Sequence, residues 1–134
     1  MASSFAIIVQ GALPDARASL SALAFARAAV DAGHTVPRVF FYHQGVTIAA
    51  RYRVLPQDER NDADLWLEFA RDSNCELAVC VTAAQRRGVI GADEAQRYAL
   101  DGTTLRDGFS LVGLGQLLDM TSTADRTVTF PGTR

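Results

Sequence analysis

The sequence contains no lysine, because all 13 of its basic residues are arginine. A lysine amine is needed for Schiff-base catalysis and for a phosphate-binding loop that ends in Gly-Lys-Ser or Gly-Lys-Thr. The absence therefore excludes pyridoxal enzymes, lysine-dependent aldolases and ordinary P-loop NTPases. A coding bias is the simplest explanation of the arginine excess.

Long apolar runs and strong charge are also missing. No stretch approaches the roughly 20 residues of a membrane-spanning helix, and the opening MASSFAIIVQG lacks a basic region followed by a long apolar segment. The net charge is −2, with 21% charged residues, so a charge-driven nucleic-acid partner is not expected. We expect a cytoplasmic protein with no membrane segment and no direct contact with nucleic acid.

Cysteine and histidine are scarce, with two of each. In an extended strand Cys75 and Cys80 would lie roughly 16 Å apart, far beyond the roughly 7 Å between Cα atoms that a disulfide permits. His34 and His43 belong to no recognisable metal or triad spacing. We expect His34 to be a solvated partner of a helix C-terminus, and His43 a surface residue near a strand end. The sequence predicts no metal site and no cofactor.

Short apolar runs alternate with helical patterns along the whole chain. Residues 47–64 are mostly polar and are predicted to form a long surface loop with room for one helical turn, a type of segment that often makes contacts. The alternation predicts a single-domain α/β fold over residues 1–134, a three-layer sandwich with an open, mostly parallel five-stranded sheet. The predicted strands are 5–9, 39–42, 76–81, 109–114 and 126–130, and the predicted helices are 16–32, 65–72, 83–87, 92–100 and 115–120.

Cys80 stands in the segment LAVCVTAAQRRGV, where a strand ends and a helix is predicted to begin. Open α/β sheets build their sites at the carboxyl ends of the strands. Thr82 and Gln85 have the spacing of a capping box, which would place the sulfur near a positive helix end that favours a thiolate. Arg86 and Arg87 add positive charge nearby. The alternative is that Cys80 packs as a small apolar residue.

The segment GLGQLL follows a strand and opens a helix, so it suggests a dinucleotide-binding turn. The third glycine of that motif is missing, and the match lies in the fourth strand unit. Close packing of strand and helix is a simpler explanation of Gly113 and Gly115. A flavodoxin-like nucleotide binder remains an alternative. Cys75 begins its strand, at the end where such sheets do not usually build sites.

The segments FAIIVQG, AGHTVPRVFFYHQGV, CVTAAQRRGV, GFSLVGLGQLLD and DRTVTF, taken in order, resemble the DsrE-like family and most closely its TusD branch. The resemblance spans residues 5–130 and implies a parallel α/β sandwich. In that family the cysteine before the AA-x-RRG segment carries sulfur as a persulfide, and this cysteine corresponds to Cys80. The resemblance therefore implies a sulfurtransferase that acts as a persulfide carrier without a cofactor.

The resemblance also implies partners. They are TusB-like and TusC-like subunits in a heterohexamer, a TusA-like sulfur donor and a TusE-like acceptor, with the sulfur ending in 2-thiouridine at the wobble position of transfer RNA. Two alternatives stay open: a DsrE-type relay subunit of sulfur oxidation, and a non-catalytic subunit that only assembles such a complex. Phe41, Tyr42 and Trp66, where exposed, are expected to anchor a subunit interface.

Overall fold

The computed structural model describes residues 2–132, so Met1, Thr133 and Arg134 of the predicted domain 1–134 lie outside the described residues. Five strands, five α-helices and one 3-10 helix follow one another along the chain. They are β1 (Ser4–Val9), α1 (Ala18–Asp31), β2 (Thr35–Phe41), the 3-10 helix (His43–Ala49), α2 (Asp62–Ser73), β3 (Glu76–Cys80), α3 (Val81–Arg86), α4 (Ala92–Arg97), β4 (Phe109–Val112), α5 (Leu114–Thr123) and β5 (Arg126–Phe130).

All five strands are parallel and form one open sheet in the order β4-β3-β2-β1-β5. The predicted fold class is therefore confirmed, including the position of RTVTF at a sheet edge. Helices lie on both faces of the sheet, and each parallel crossover places a helix against the strands that it connects. β3 is an interior strand, which explains why its residues are apolar on both faces.

α1 and α2 cover one face of the sheet. Phe41 of β2 packs edge-to-face on Trp66 of α2, with ring centroids 5.4 Å apart, and both side chains are fully buried. The Trp66 indole donates a hydrogen bond to Ser19 Oγ of α1 at 2.9 Å. Phe41 and Trp66 therefore do not meet the condition of exposure that an interface anchor requires, because these rings fill the core between the two helices and the sheet. Tyr42 is half-buried.

The opposite face carries α5 and is covered more thinly. Arg38 of β2 donates to Gln116 Oε1 of α5 at 2.8 Å and forms an ion pair with Glu76 of β3 at 2.7 Å. Leu114 and Leu118 of α5 are 47% and 70% exposed. The sheet is therefore asymmetric, with most of the apolar core on the side of α1 and α2.

The predicted loop 47–64 is partly wrong. Its beginning belongs to the 3-10 helix, in which Val46, Ile48 and Ala49 are fully buried, and its end belongs to α2. α2 begins after Asn61, whose side chain accepts a hydrogen bond from the Ala63 N–H at 2.9 Å. Between these helices the chain is irregular and exposes Tyr52 and Val54.

Two helix ends carry residue types that commonly end helices. Gly33 after α1 and Asn74 after α2 both adopt positive φ, at 92° and 53°. These residue types tolerate the left-handed conformation that ends a helix. No helix within residues 2–132 is long and apolar enough to cross a membrane.

Candidate functional site

The carboxyl ends of the parallel strands meet at one edge of the sheet, which we call the carboxyl edge. It is formed by the residues that follow β1, β2, β3 and β4, and Cys80, His43 and Gly113 all lie there. Cys75 and His34 lie at the opposite edge, where β3 and β2 begin. Because α/β sites are built at the carboxyl ends of strands, the topology separates the two cysteines into one candidate and one bystander.

Cys80 is both the last residue of β3 and the N-cap residue of α3. Its backbone is extended, with φ −62° and ψ 118°, and it pairs in register with Val112 of β4. The residue is 1% exposed, and no hydrogen bond to its sulfur is present within the described residues. The predicted position at a strand end is correct, and the thiol is closed off from solvent in this conformation.

The predicted capping box of Thr82 and Gln85 is wrong. α3 already begins at Val81, so Thr82 is the second helical residue and makes no capping hydrogen bond. The strand passes into the helix without a connecting residue, and the change of direction falls on Cys80. A capping side chain must come from a residue with extended backbone, which Thr82 lacks.

The two arginines of the RRG segment also lie away from the sulfur. α3 has six residues, which at 1.5 Å per residue separates Cys80 from its carboxyl end by roughly 9 Å. Arg87 donates to Gln44 Oε1 at 2.5 Å and to the Ala83 carbonyl at 3.1 Å. The side chain of the exposed Arg86 makes no hydrogen bond or ion pair within residues 2–132. Arg87 therefore joins α3 to the 3-10 helix and does not act on the thiol directly.

The 3-10 helix covers the end of β3. It packs against both α3 and β3, and a side chain at Gly45 would collide with the Val9 carbonyl, so this segment lies directly on the backbone of the carboxyl edge. The same segment supplies Gln44, the partner of Arg87. Cys80 thus lies among its own helix, the neighbouring strand and the 3-10 helix. The Arg87–Gln44 hydrogen bond joins the 3-10 helix to α3, and the Arg106 N–H donates to its Ala49 carbonyl at 2.8 Å.

His43 begins the 3-10 helix and reaches the carboxyl edge, as its sequence position predicts. Its φ is +50°, and its exposed ring stacks on Tyr42 with centroids 4.1 Å apart. His34 is not the solvated helix partner that we expected. It is half-buried, its Nδ1 accepts a hydrogen bond from the Ser3 N–H at 2.9 Å, and its ring meets Phe5 edge-to-face. Its role is to hold the start of β1.

Cys75 has the chemistry of an inert thiol. It is 8% exposed, and its Sγ lies 3.6 Å from the Glu76 carbonyl oxygen, which accepts its hydrogen bond. Burial, and secondarily the negative charge of Glu76, raises the pKa of the Cys75 thiol to about 12. Both cysteines are free, and the length of β3 separates them. A thiol with so high a pKa is a poor nucleophile at neutral pH.

The glycines of GLGQLL have neither of the roles considered for them. Gly113 caps α5 with φ −83°, and a Cβ added at Gly113 or Gly115 would meet nothing within 4 Å. Close packing of strand and helix, our preferred explanation, is therefore wrong. Gly113 and Gly115 also lack the positive φ that would require glycine. Within residues 2–132 no three His, Cys, Asp or Glu side chains are grouped so that they could hold a metal ion.

Two buried charges near this edge were missed by the sequence analysis. Asp62 is fully buried, and its Oδ1 lies 2.6 Å from Nη2 of Arg53, whose side chain is 10% exposed. Arg53 also donates to the Leu13 carbonyl at 2.5 Å and to Asn61 Oδ1 at 2.9 Å. The pair fastens the loop after β1 to the segment before α2. In the sequence Arg53 and Asp62 are indistinguishable from surface charges, because no local pattern indicates that they are buried together.

The family model described as the DsrE/DsrF-like family matches residues 3–130. The chain belongs to this family. It is 45% identical over 114 residues to the provisionally named sulfurtransferase DsrE of Allochromatium vinosum, covering 85% of this chain and 88% of that one. It is 41% identical over 121 residues to a sulfurtransferase TusD homolog of Pseudomonas aeruginosa, covering 90% and 92%.

A further DsrE/DsrF-like relative is the sulfurtransferase TusD of Enterobacter sp. strain 638, which is 40% identical over 126 residues, covering 94% of this chain and 98% of the relative. The crystal structure of the YchN protein from E. coli superimposes with a TM-score of 0.75 at 23% identity, covering 96% of this chain and 99% of that one. At that identity the likeness concerns the fold alone. The predicted family and its TusD branch are confirmed by these relatives.

Proposed function

We propose that this DsrE/DsrF-like protein is a sulfur-relay subunit that accepts sulfane sulfur as a persulfide on Cys80 and passes it to a downstream thiol. The names of its relatives support sulfur transfer as the general role. The observation that carries the assignment to one residue is the position of the two cysteines. Only Cys80 lies at the carboxyl edge, whereas Cys75 lies at the amino edge with a raised pKa.

The exchange needs no cofactor. The Cys80 thiolate attacks the outer sulfur of a donor persulfide, the donor's S–S bond breaks, and its electron pair leaves with the donor thiolate. Cys80 then carries the S–SH group, and an acceptor thiolate attacks its outer sulfur and releases the Cys80 thiolate. A single thiol suits this role. A second thiol within reach would attack the inner sulfur of the persulfide, form a disulfide and release sulfide. Cys75 is separated from Cys80 by the length of β3.

The partners and the pathway follow from the family resemblance. We propose a TusA-like donor, a TusE-like acceptor and a heterohexamer with TusB-like and TusC-like subunits, in the cytoplasm, where thiols stay reduced. In this assignment the sulfur ends as 2-thiouridine in transfer RNA. The higher identity to the DsrE relative favours a second pathway, in which the same relay serves sulfur oxidation.

Burial of Cys80 favours one rival, a non-catalytic subunit that only assembles the complex. At 1% exposure the sulfur cannot meet another thiol without local movement. Mass spectrometry distinguishes the two. The protein is incubated with a persulfide-charged TusA-like donor, free thiols are blocked, and the adduct is located on peptides. Trypsin alone leaves both cysteines on one peptide, residues 72–86, whereas additional cleavage after Glu76 separates them.

We expect one additional sulfur atom on the peptide that contains Cys80 and none on the peptide that contains Cys75. Sulfur on Cys75 alone would show that the site is wrong, and sulfur on neither would favour the assembly subunit. Cys80→Ala is the better inactive variant, since it leaves a small cavity at a cost of about 1 kcal/mol. Cys80→Ser buries a hydroxyl group without an evident partner at a cost of about 1–3 kcal/mol. Cys75→Ala is the matched control and should keep the transfer.

A further inference from the structure

A cavity of about 300 Å³ opens at the margin of the sheet beside the ends of β3 and β4. Its walls include Val81, which follows Cys80 in the chain, and Val112, which pairs with Cys80 in register. Leu105 and Leu111 complete an apolar wall, and all four side chains are half-buried. The cavity therefore adjoins the candidate relay cysteine without belonging to the site described above.

Glu94 supplies the cavity's most unusual polar group. Its side chain belongs to a residue that is 9% exposed, and its Oε1 accepts a hydrogen bond from the Gly91 N–H at 3.2 Å. Within residues 2–132 no donor reaches its second oxygen, and Glu94 lines the cavity. Asp62 Oδ1 is the one fully buried side-chain oxygen without a hydrogen bond in the described part of the chain, so the second oxygen of Glu94 is open to the cavity and available as an acceptor.

The charge of the lining is of one sign. Asp93 stands beside Glu94, and no basic side chain is among the residues that line the cavity. Arg97, one turn further along α4, is exposed and makes no ion pair within the described part of the chain. An acidic end combined with an apolar wall matches a cation carried on an alkyl stem, which is the chemistry of a lysine or arginine side chain.

We propose that this cavity binds a basic side chain, lysine or arginine, of a partner protein that docks at the carboxyl edge. The stem lies along the apolar wall, and the charged head pairs with the carboxylate of Glu94. A partner held there has its adjoining chain next to the end of β3. The identification of this partner as one that exchanges sulfur with Cys80 rests on the proposed function, whereas the cation site itself does not.

The test is an NMR titration of the ¹⁵N-labelled Cys80→Ala protein with n-butylguanidinium chloride, with n-butanol and sodium butyrate as matched additives. We expect saturable shifts of the amides of Gly91, Ala92 and Gly113 with the cation alone. Glu94→Gln keeps the acceptor for Gly91 N–H and hence the helix start, and should weaken binding by at least about tenfold. Asp93→Asn, at an exposed position, should weaken it by about two- to threefold.

Equal binding by the Cys80→Ala protein with and without Glu94→Gln would overturn the proposal, as would shifts spread over all surface acids. A second arm compares N-acetyl-arginine N-methylamide with the bare alkyl cation. Binding of the peptide at least as tight as that of n-butylguanidinium supports a protein partner. Binding of the free cation with exclusion of the peptide would overturn docking in favour of a small amine. Neither arm measures sulfur transfer, so failure here is distinguishable from failure of the Cys80 assignment.

Discussion

Removing the Arg87 side chain should make Cys80 more accessible. Arg87 holds the 3-10 helix to α3 through a 2.5 Å hydrogen bond from its Nε to Gln44 Oε1. Both side chains lie at the surface, which reduces the contribution of this charged hydrogen bond to about 1 kcal/mol. Loss of that energy lowers the free energy of local opening by the same amount. The open population, and with it the rate of Cys80 alkylation, should rise about fivefold.

The assay is alkylation by iodoacetamide under native conditions, read on the peptide of residues 77–86 after digestion with trypsin and cleavage after Glu76. The same digestion of the Arg86→Ala control gives residues 77–87, because trypsin then cleaves after Arg87. Gln44→Ala removes the same hydrogen bond from the other side and should give a similar acceleration. Arg86→Ala is the control, because the neighbouring Arg86 is exposed and its side chain makes no hydrogen bond or ion pair within residues 2–132. An unchanged alkylation rate in Arg87→Ala, or an equal rise in Arg86→Ala, would refute the argument that the Arg87–Gln44 hydrogen bond limits access to Cys80.

Three further predictions concern stability, measured by urea unfolding with the fluorescence of the single buried tryptophan. Arg53→Ala should cost about 3–5 kcal/mol, because it leaves the fully buried Asp62 carboxylate without its cation, and a loss below 1 kcal/mol would contradict the ion-pair argument. Gly45→Ala should destabilise the protein strongly, because the added methyl group collides with the Val9 carbonyl of β1. Gly113→Ala, at a position with open space, should change stability by less than about 1 kcal/mol. Equal effects of the two substitutions would show that the 3-10 helix does not press on the sheet. The pKa of Cys75 is raised from 9.0 to about 12, so between these pH values the folded state keeps a proton that the unfolded state loses. The contribution of this protonated thiol to stability is complete below pH 9 and is lost as pH rises towards 12. Cys75→Ala should therefore lose less stability than wild type over that range, and parallel curves would refute the shift.

The sheet could be predicted from sequence because each strand is a short apolar run that alternates with a helical pattern. β3, with its residues apolar on both faces, also indicates an interior position. The errors lie where local pattern is weakest. The 3-10 helix has only seven residues, and its buried positions Val46, Ile48 and Ala49 follow no period long enough to detect. The start of α3 at Val81 was missed because no turn residue separates it from β3.

The candidate site could be predicted only in its topology. The position of Cys80 at a strand end follows from the order of elements, but its burial involves the packing of the 3-10 helix on β3 and α3, elements that the Gln44–Arg87 hydrogen bond joins across 43 residues of sequence. Glu94 shows the same limit. In sequence it belongs to an ordinary acidic first turn of a helix, and only the folded chain brings it to the same cavity as Leu111 and Val112 of β4. Exposure is a tertiary property, and no local spacing encodes it.

Burial and relay are compatible if Cys80 reacts only from an opened conformation. A persulfide that stayed exposed would lose its outer sulfur to any passing thiol, whereas one enclosed beside the 3-10 helix is reactive only for the open fraction of time. An opening free energy of about 2.7 kcal/mol corresponds to an open population near 1%, which slows leakage about a hundredfold. A partner that binds only the open form loses the same factor in apparent affinity. Contacts outside the thiol must offset that loss. A cation paired with Glu94 is one such contact, and it would stabilise binding of the correct partner but not of a small thiol.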